Sequence, residues 1–219
     1  MHSSNGYYFV LEPSVTSTGE IYSWEMLTKF ESSFLYKNNI SNFESLDVNL
    51  KNKIFVEQLD FLNLLPIEFK KKIISLNVND SIASFIIHNP QICEILYRNR
   101  VFLRLEINEW FSELAYEKKK AKLSFLSNLL PLWLDDFGAG LTNFTVFNKI
   151  NFEVVKIDKD FYWKHRTGFI FPKIIEHLRE VDVNVIVEGI ENTSQTKEIF
   201  SLDIIAGQGH IWKDLNYES

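Results

Sequence analysis

Segments with the character of β-strands alternate with helix-length segments along the whole chain, and this alternation limits the fold more than any other feature. Short runs rich in β-branched and aromatic residues predict eight strands, at Tyr7–Glu12, Glu20–Leu27, Ile73–Asn77, Phe102–Ile107, Leu132–Asp136, Val154–Ile157, Asn184–Glu188 and Ile204–Gly207. From the third strand onward, helix-length stretches separate these runs. Because a helix between two strands of one sheet returns the chain in the same direction, these strands are expected to be parallel.

The first two predicted strands are an exception. The connection between them, Thr16-Ser17-Thr18-Gly19, has the length of a hairpin and cannot hold a crossover helix. The sequence therefore predicts an α/β fold, a modified TIM-like (β/α)8 barrel with the first two strands antiparallel. An open, doubly wound sheet is the alternative. Because the chain has 219 residues and no Pro-, Gly- or Ser-rich linker, we expect one domain over residues 1–219.

Some of the helices can be located from the sequence. Apolar residues at near-helical spacing predict helices over Leu46–Leu65 and Phe161–Glu180. Asp80 and Ser81, after the third strand, and Thr142, after the fifth, are residue types that begin helices. These positions fit a barrel whose helices follow its strands.

Composition and charge exclude several classes of protein. No apolar run approaches the roughly 18 residues of a membrane span, and the N-terminal MHSSNGYYFV lacks the basic start and apolar stretch of a signal peptide. We therefore expect a cytoplasmic chain without a membrane partner. A net charge of −6 argues against direct DNA binding. The one cysteine, Cys93, excludes an internal disulfide and a thiolate metal cluster.

Polar side chains recur late in the predicted strands, and carboxylates predominate among them. They are Glu25, Asn77, Glu106, Asp135, Asp136, Lys156 and Glu188. The carboxyl ends of parallel barrel strands meet at one rim, so these side chains are expected to converge there. Five carboxylates at one rim could not all stay ionised without cations. Oxygen ligands without His or Cys favour Mg²⁺ or Mn²⁺, and the adjacent aspartates suit a two-metal site that cleaves phosphate esters.

Each of these residues also has an ordinary structural explanation. A glutamate at a strand end often solvates a loop, paired aspartates often form turns or caps, and Asn77 could form an Asx-turn. Lys156 could belong to a surface ion pair. The coordinated placement at several strand ends is what favours a functional site.

Several motifs, in order along the chain, carry a family resemblance. They are Trp24-Glu25-Met26-Leu27, the Asn77 segment SLNVN, the segment LEINE at 105–109, LDDFGAGLTNF at 134–144, VVKID at 154–158, VIVEGIEN at 185–192 and Gly207-Gln208-Gly209. From about Tyr7 to Trp212 the chain resembles the EAL-domain phosphodiesterases of bacteria, which hydrolyse cyclic di-GMP. It looks most like the short, stand-alone enterobacterial members.

The resemblance implies roles for individual residues. Glu25, Asn77, Glu106 and Asp135 would hold one cation, and Asp135 would bridge to a second held by Asp136 and Glu188, with Mg²⁺ or Mn²⁺ as the cofactor. Lys156, Glu188 and Glu25 would be catalytic, and Lys156 would orient or help to deprotonate the attacking water. The product would be linear pGpG.

The resemblance also implies contacts with substrate and partners. Lys29, Gln208, Glu191 and Leu27 would lie at the substrate side of the site, and Glu191 would brace the loop after Asp136. A homodimer through that loop and the following helix is a further expectation.

The sequence departs from the family pattern at a few positions. Glu12-Pro13-Ser14 stands where Gln-Pro-Ile is usual, Lys29 replaces an arginine that often contacts phosphate, and Ala139 replaces a threonine. None of these changes removes a metal ligand. The alternative is a catalytically weak or inactive relative that acts as a cyclic di-GMP receptor or as a protein-binding regulator.

Overall fold

The computed structural model describes residues 6–38, 41–115, 121–140, 144–148 and 150–218. Its strands are β1 (Tyr7–Val15), β2 (Ile21–Phe30), β3 (Ile73–Asn77), β4 (Leu103–Asn108), β5 (Leu132–Phe137), β6 (Phe152–Ile157), β7 (Asn184–Val187), β8 (Ala206–Gln208) and β9 (Tyr217–Glu218). Its α-helices are α1 (Ser32–Asn38), α2 (Val48–Leu64), α3 (Asp80–Ile87), α4 (Pro90–Arg98), α5 (Ser112–Ala115), α6 (Ala121–Leu129), α7 (Lys159–His165), α8 (Ile170–Glu180) and α9 (Thr193–Phe200). Short 3-10 helices lie at Phe43–Ser45, Phe69–Lys71, Phe144–Asn148 and His210–Leu215.

The strands close into a barrel. Strands β2 to β8 pair in sequence order and in parallel. Strand β1 closes the ring because it pairs antiparallel with both β2 and β8. The predicted barrel with an antiparallel first pair is therefore confirmed, and the open doubly wound alternative is wrong.

The ninth strand was not predicted. In β9, Tyr217 pairs antiparallel with Leu11 of β1, on the β1 edge that also meets β8. The Tyr217 ring packs on Phe69, with 4.6 Å between ring centroids. A two-residue strand has no periodicity for sequence reasoning to detect, because its pairing depends on the finished barrel.

The predicted helices differ in how well they match the structure. Helix α2 fits the expected Leu46–Leu65, and α3 begins at Asp80, as predicted, with Asn79 as its N-cap. The single helix predicted over Phe161–Glu180 is wrong, because the structure has α7 and α8 with a break at residues 166–169 that contains Gly168. The helix start predicted at Thr142 lies outside the described residues.

Inward-facing side chains fill the lower half of the barrel with an apolar layer. Trp133, Val154, Ile186 and Ala206 form this cluster, and Tyr22 stacks on Trp133 with ring centroids 6.2 Å apart. A larger core lies outside the barrel, between the strands and the helices. None of the helices in the described part of the chain has the length and apolar character that crossing a bilayer requires.

Candidate metal centre and active site

A polar layer lies directly above the apolar one, nearer the carboxyl ends of the strands. Each of four polar residues in this layer comes two residues after an apolar residue of the lower layer. The pairs are Trp133 and Asp135, Val154 and Lys156, Ile186 and Glu188, and Ala206 and Gln208. Since side chains two residues apart on a strand share a face, the same strands supply both layers. Glu25 and Glu106 complete this layer from β2 and β4.

Lys156 lies at the centre of the polar layer. Its Nζ is 2.8 Å from Glu25 Oε2, 3.1 Å from Glu106 Oε2, 3.1 Å from Asp135 Oδ1 and 2.8 Å from Glu188 Oε1. The lysine side chain is only 1% exposed. One ammonium therefore faces four carboxylates at hydrogen-bonding distance, so it cannot balance their charge if all four are ionised.

Amide side chains hold Glu25 in place. Asn77 Nδ2 donates to Glu25 Oε1 at 2.8 Å, and Gln208 Nε2 donates to Glu25 Oε2 at 2.7 Å. Ser14 Oγ, on β1, donates to Gln208 Oε1 at 3.0 Å, so the orientation of the Gln208 amide is also set. With its nitrogen turned to Glu25, Asn77 keeps its oxygen for another partner.

The carboxyl groups of the centre have very different pKa values, because their neighbours stabilise the ionised form to different degrees. Burial alone would raise the pKa of Glu25, but Lys156, Asn77 and Gln208 stabilise the ionised form and lower it to about 2. Burial and neighbouring carboxylates outweigh Lys156 at Glu188, where the pKa rises to about 8. Burial and Asp135 raise the pKa of Asp136 to about 6. Divergent values of this kind are typical of functional sites.

The remaining groups of the centre are also perturbed. Burial and the Glu25 charge raise the pKa of Glu106 well above its usual range, and burial raises the pKa of Asp135. Burial would lower the pKa of Lys156, but the four surrounding carboxylates raise it well above its ordinary value. Lys156 is therefore protonated at neutral pH in the metal-free chain.

A distortion of β5 brings two consecutive aspartates to the same site. Neighbours on a regular strand point to opposite faces, so Asp135 and Asp136 should diverge. The pairing of β5 with β6 shifts between Leu134 and Phe137, and Asp136 has a left-handed φ of 57°. Such a bulge redirects a side chain. Oxygen atoms of Asp135, Asp136 and Glu188 consequently lie within 4.8 Å of one another.

The loop after Asp136 is anchored by Glu109. The buried Glu109 carboxylate accepts hydrogen bonds from the backbone N–H of Gly138 at 3.2 Å and of Gly140 at 2.9 Å. Gly138 has a φ of 102°, and a Cβ there would lie 2.5 Å from the Phe161 ring, so only glycine fits. Glu191, the predicted brace, is exposed, and its backbone N–H donates to Gln195 Oε1 at 2.7 Å. Glu109 therefore anchors the described part of this loop, and the bracing role of Glu191 stays a prediction.

The donor set of the centre fits divalent cations. Two groups of carboxylates, Glu25 with Glu106 and Asp135, and Asp135 with Asp136 and Glu188, each have oxygen atoms within 4.8 Å of one another. The two groups share Asp135. Among the described residues, buried Glu106 Oε1 has no hydrogen-bond donor, so this oxygen is available as a ligand. An all-oxygen set of this kind suits hard cations.

The predicted substrate-side residues lie in different surroundings. Leu27 lines a cleft of about 270 Å³ beside the centre, together with Glu25, Phe43, Glu44 and Asn77. Gln208 is buried in the centre itself. Lys29 Nζ lies 3.0 Å from Glu12 Oε1, so these two departures from the family pattern contact each other. A larger groove of about 1240 Å³ lies at the opposite end of the barrel, beside Leu132, Phe152 and Asn184, away from the centre.

Comparison with known proteins identifies the family. The sequence profile described as "EAL domain" matches residues 3–213. The chain belongs to the EAL domain family. The expectation drawn from the sequence motifs is confirmed.

Curated relatives of this EAL domain carry phosphodiesterase names. Cyclic di-GMP phosphodiesterase PdeH of Escherichia coli is 23% identical over 175 residues, which cover 76% of this chain and 66% of PdeH. Cyclic di-GMP phosphodiesterase PdeA of Borreliella burgdorferi is 26% identical over 156 residues, 69% of this chain and 22% of PdeA. The chain thus spans just under two thirds of PdeH and about a fifth of PdeA.

Solved EAL structures share the fold. The EAL-like domain protein YdiV superposes with a TM-score of 0.80 at 24% identity, covering 95% of this chain and 92% of YdiV. Klebsiella pneumoniae BlrP1, solved as a manganese and cyclic di-GMP complex, superposes with a TM-score of 0.73 at 16% identity, covering 96% of this chain and 56% of BlrP1. A calcium and cyclic di-GMP complex of BlrP1 has a TM-score of 0.72.

Two supporting residues were missed by sequence reasoning. Ser14 orients Gln208, and Glu109 anchors the loop after Asp136. Glu109 lies three residues after Glu106 in a motif already singled out, which is a usable signal. Ser14 has no such signal, because its contact depends on the pairing of β1 with β8.

Proposed function

We propose that this EAL domain is a metal-dependent phosphodiesterase that hydrolyses cyclic di-GMP to linear pGpG, with Mg²⁺ or Mn²⁺ as the cofactor. The observation that carries the proposal is the convergence of five carboxylates, one amide and one lysine at the carboxyl end of the barrel. The names of PdeH and PdeA support the substrate. The BlrP1 complex with manganese supports the class of cation.

The proposed ligands divide into two groups that share Asp135. Glu25, Asn77 and Glu106 would hold one cation with Asp135, while Asp136 and Glu188 would hold the other. Bound cations would supply Lewis-acid activation of the phosphodiester and of the attacking water. The hydrogen bonds from Asn77 and Gln208 keep Glu25 ionised and fixed, so this ligand is ready before substrate binds.

Lys156 is proposed to orient the attacking water and to balance charge. In the metal-free chain the four surrounding carboxylates raise the pKa of Lys156, so its ammonium donates hydrogen bonds. It is buried at the centre, where a donated hydrogen bond is strong. Glu188 has a pKa of about 8 in the metal-free chain, so this group holds a proton until a cation displaces it.

The test is turnover of cyclic di-GMP by the purified chain with Mg²⁺ or Mn²⁺, with pGpG measured by chromatography. The Glu25→Ala variant should lose turnover, because Glu25 contacts Lys156, Asn77 and Gln208. Glu94→Ala is the matched control, since Glu94 is exposed on α4 and pairs with Arg98. Failure of the wild-type chain to form pGpG with either cation would overturn the proposal.

A receptor or protein-binding regulator is the second candidate. The ion pair between Lys29 and Glu12 favours the protein-binding regulator, because Glu12 occupies a lysine that would otherwise be free to contact a substrate phosphate. Binding of cyclic di-GMP without formation of pGpG would support the receptor.

A further inference from the structure

Glu12 and Lys29 form an ion pair on the wall of the barrel near the proposed active site. Their charged atoms are 3.0 Å apart, and the side chains are 29% and 44% exposed. Glu12 belongs to β1 and Lys29 to the neighbouring β2. The pair is therefore open to solvent and to solutes that enter the barrel mouth.

Strand geometry places this pair on the same face as the centre. Glu12 is directly opposite Glu25 in the antiparallel ladder, and opposite residues of a ladder share a face. Lys29 lies four residues after Glu25 on β2, so it also points inward, farther toward the rim. The Glu12 carboxylate therefore draws the Lys29 ammonium back toward the metal-ligand layer.

Lys29 is suited to bind an anion, whereas nearby lysines are already occupied. Lys156 is buried and shared by four carboxylates. Lys51, near the adjacent cleft, is nearly buried and bonds both the backbone and the side chain of Glu44. Among the described residues, Lys29 pairs with one carboxylate, and it is much more exposed than either of these lysines.

A cyclic dinucleotide carries two phosphodiesters, and only one of them can react at the carboxylate centre. A cation on the wall of the site would attract the other, and Lys29 is an exposed cation there. We propose that Glu12 is an affinity-limiting residue that competes with this second, non-reacting phosphate of the substrate for the Lys29 ammonium. This inference rests on the proposed function.

The competition sets the direction and size of the effect of removing Glu12. A phosphate that binds Lys29 must share its ammonium with the Glu12 carboxylate, and the two anions repel each other. Exposed charge pairs interact weakly, so Glu12→Gln should tighten substrate binding by about 1.4- to fivefold. Lys29→Met keeps the apolar stem, loses the charge and should weaken binding.

The experiment is calorimetric titration of cyclic di-GMP in the presence of Ca²⁺, the cation of one BlrP1 complex. The proteins are the wild type, Glu12→Gln, Lys29→Met and the double variant, and chromatography checks that the nucleotide stays intact. Glu31→Gln is the matched control, because it removes a charge two residues from Lys29 without touching the pair. Circular dichroism confirms that each variant is folded.

We expect Glu12→Gln to bind more tightly than wild type and Glu31→Gln to bind like wild type. This gain in affinity should vanish when Glu12→Gln is combined with Lys29→Met, so the double variant should bind like Lys29→Met alone. An equal gain in the Lys29→Met background, or no gain in Glu12→Gln, would overturn the inference while the proposed function stands. If the wild type itself does not bind, both the proposed ligand and the role of Glu12 are wrong.

Discussion

The lower and upper halves of the barrel interior are built from the same strands but have opposite chemistry. The lower layer is apolar, and the Trp133 indole N–H donates to Glu153, which also pairs with Arg104. Two residues later, the upper layer concentrates four carboxylates on Lys156. A packed apolar layer therefore supports a site whose carboxylates repel one another. The two layers are only two residues apart along each strand. The comparison predicts that substitutions in the polar layer lower turnover and that substitutions in the apolar layer lower the stability of the fold.

The largest effect is expected from Glu188→Gln in the upper layer. This change keeps the shape but removes a carboxylate from the centre, so turnover should fall by about 10²- to 10³-fold or more. Because the ionised form of Glu188 is disfavoured by burial, the metal-free fold should be retained. The measurements are pGpG formation and thermal unfolding. Loss of cooperative unfolding would instead assign Glu188 a structural role.

The corresponding change in the lower, apolar layer is Trp133→Ala. Trp133 is 1% exposed and stacks on Tyr22, so truncation should reduce the free energy of unfolding by about 3–5 kcal/mol. Turnover per folded molecule should stay close to wild type at low temperature. Urea unfolding and initial rates measure the two quantities. A large loss of turnover with unchanged stability would break the division between the layers.

A smaller effect is expected at the loop that carries Asp136. Gly138→Ala forces a residue into φ 102° and against the Phe161 ring, which should cost about 1–3 kcal/mol and lower turnover. Gly140→Ala is the control, since Gly140 also has a positive φ, of 139°, but no atom of the described residues lies within 4 Å of its Cβ position. If both variants behave alike, backbone strain alone explains the loss and the Phe161 contact is irrelevant.

The smallest effect is a pH dependence of stabilisation by Mg²⁺. Glu188, with a pKa of about 8 in the fold, and Asp136, with about 6, both lie above their ordinary values. The metal-free fold therefore binds more protons than the unfolded chain and loses stability as the pH rises toward 8. Mg²⁺ binds the ionised groups, so the rise in Tm that it causes should be larger at pH 8 than at pH 6.

Thermal unfolding with and without Mg²⁺ at both pH values measures this dependence. In Glu188→Gln, the difference between pH 6 and pH 8 should shrink. A rise in Tm that is greater at pH 6 would contradict the proton competition.

The sequence predicts the parts of this molecule that depend on local pattern. The strands and the antiparallel first pair follow from periodicity and the short Thr16–Gly19 connection, and the strand ends locate Glu25 and Glu106. The break at Gly168 was missed, because apolar spacing on either side fits one helix. The bulge at Asp136 and the contact of Ser14 with Gln208 depend on pairing between strands, which no local pattern encodes.

The position of Lys156 bears on how the protein is assembled in a cell. A buried group of carboxylates without any positive charge would oppose closure of the barrel until metal arrived. The lysine is carried by the same chain, so an internal counter-ion is present as soon as β6 joins the sheet. The proposed cations would then not be needed for folding, unlike in domains whose fold requires the ion. Under the proposed function, the folded, metal-free chain would be inactive until divalent cations were supplied.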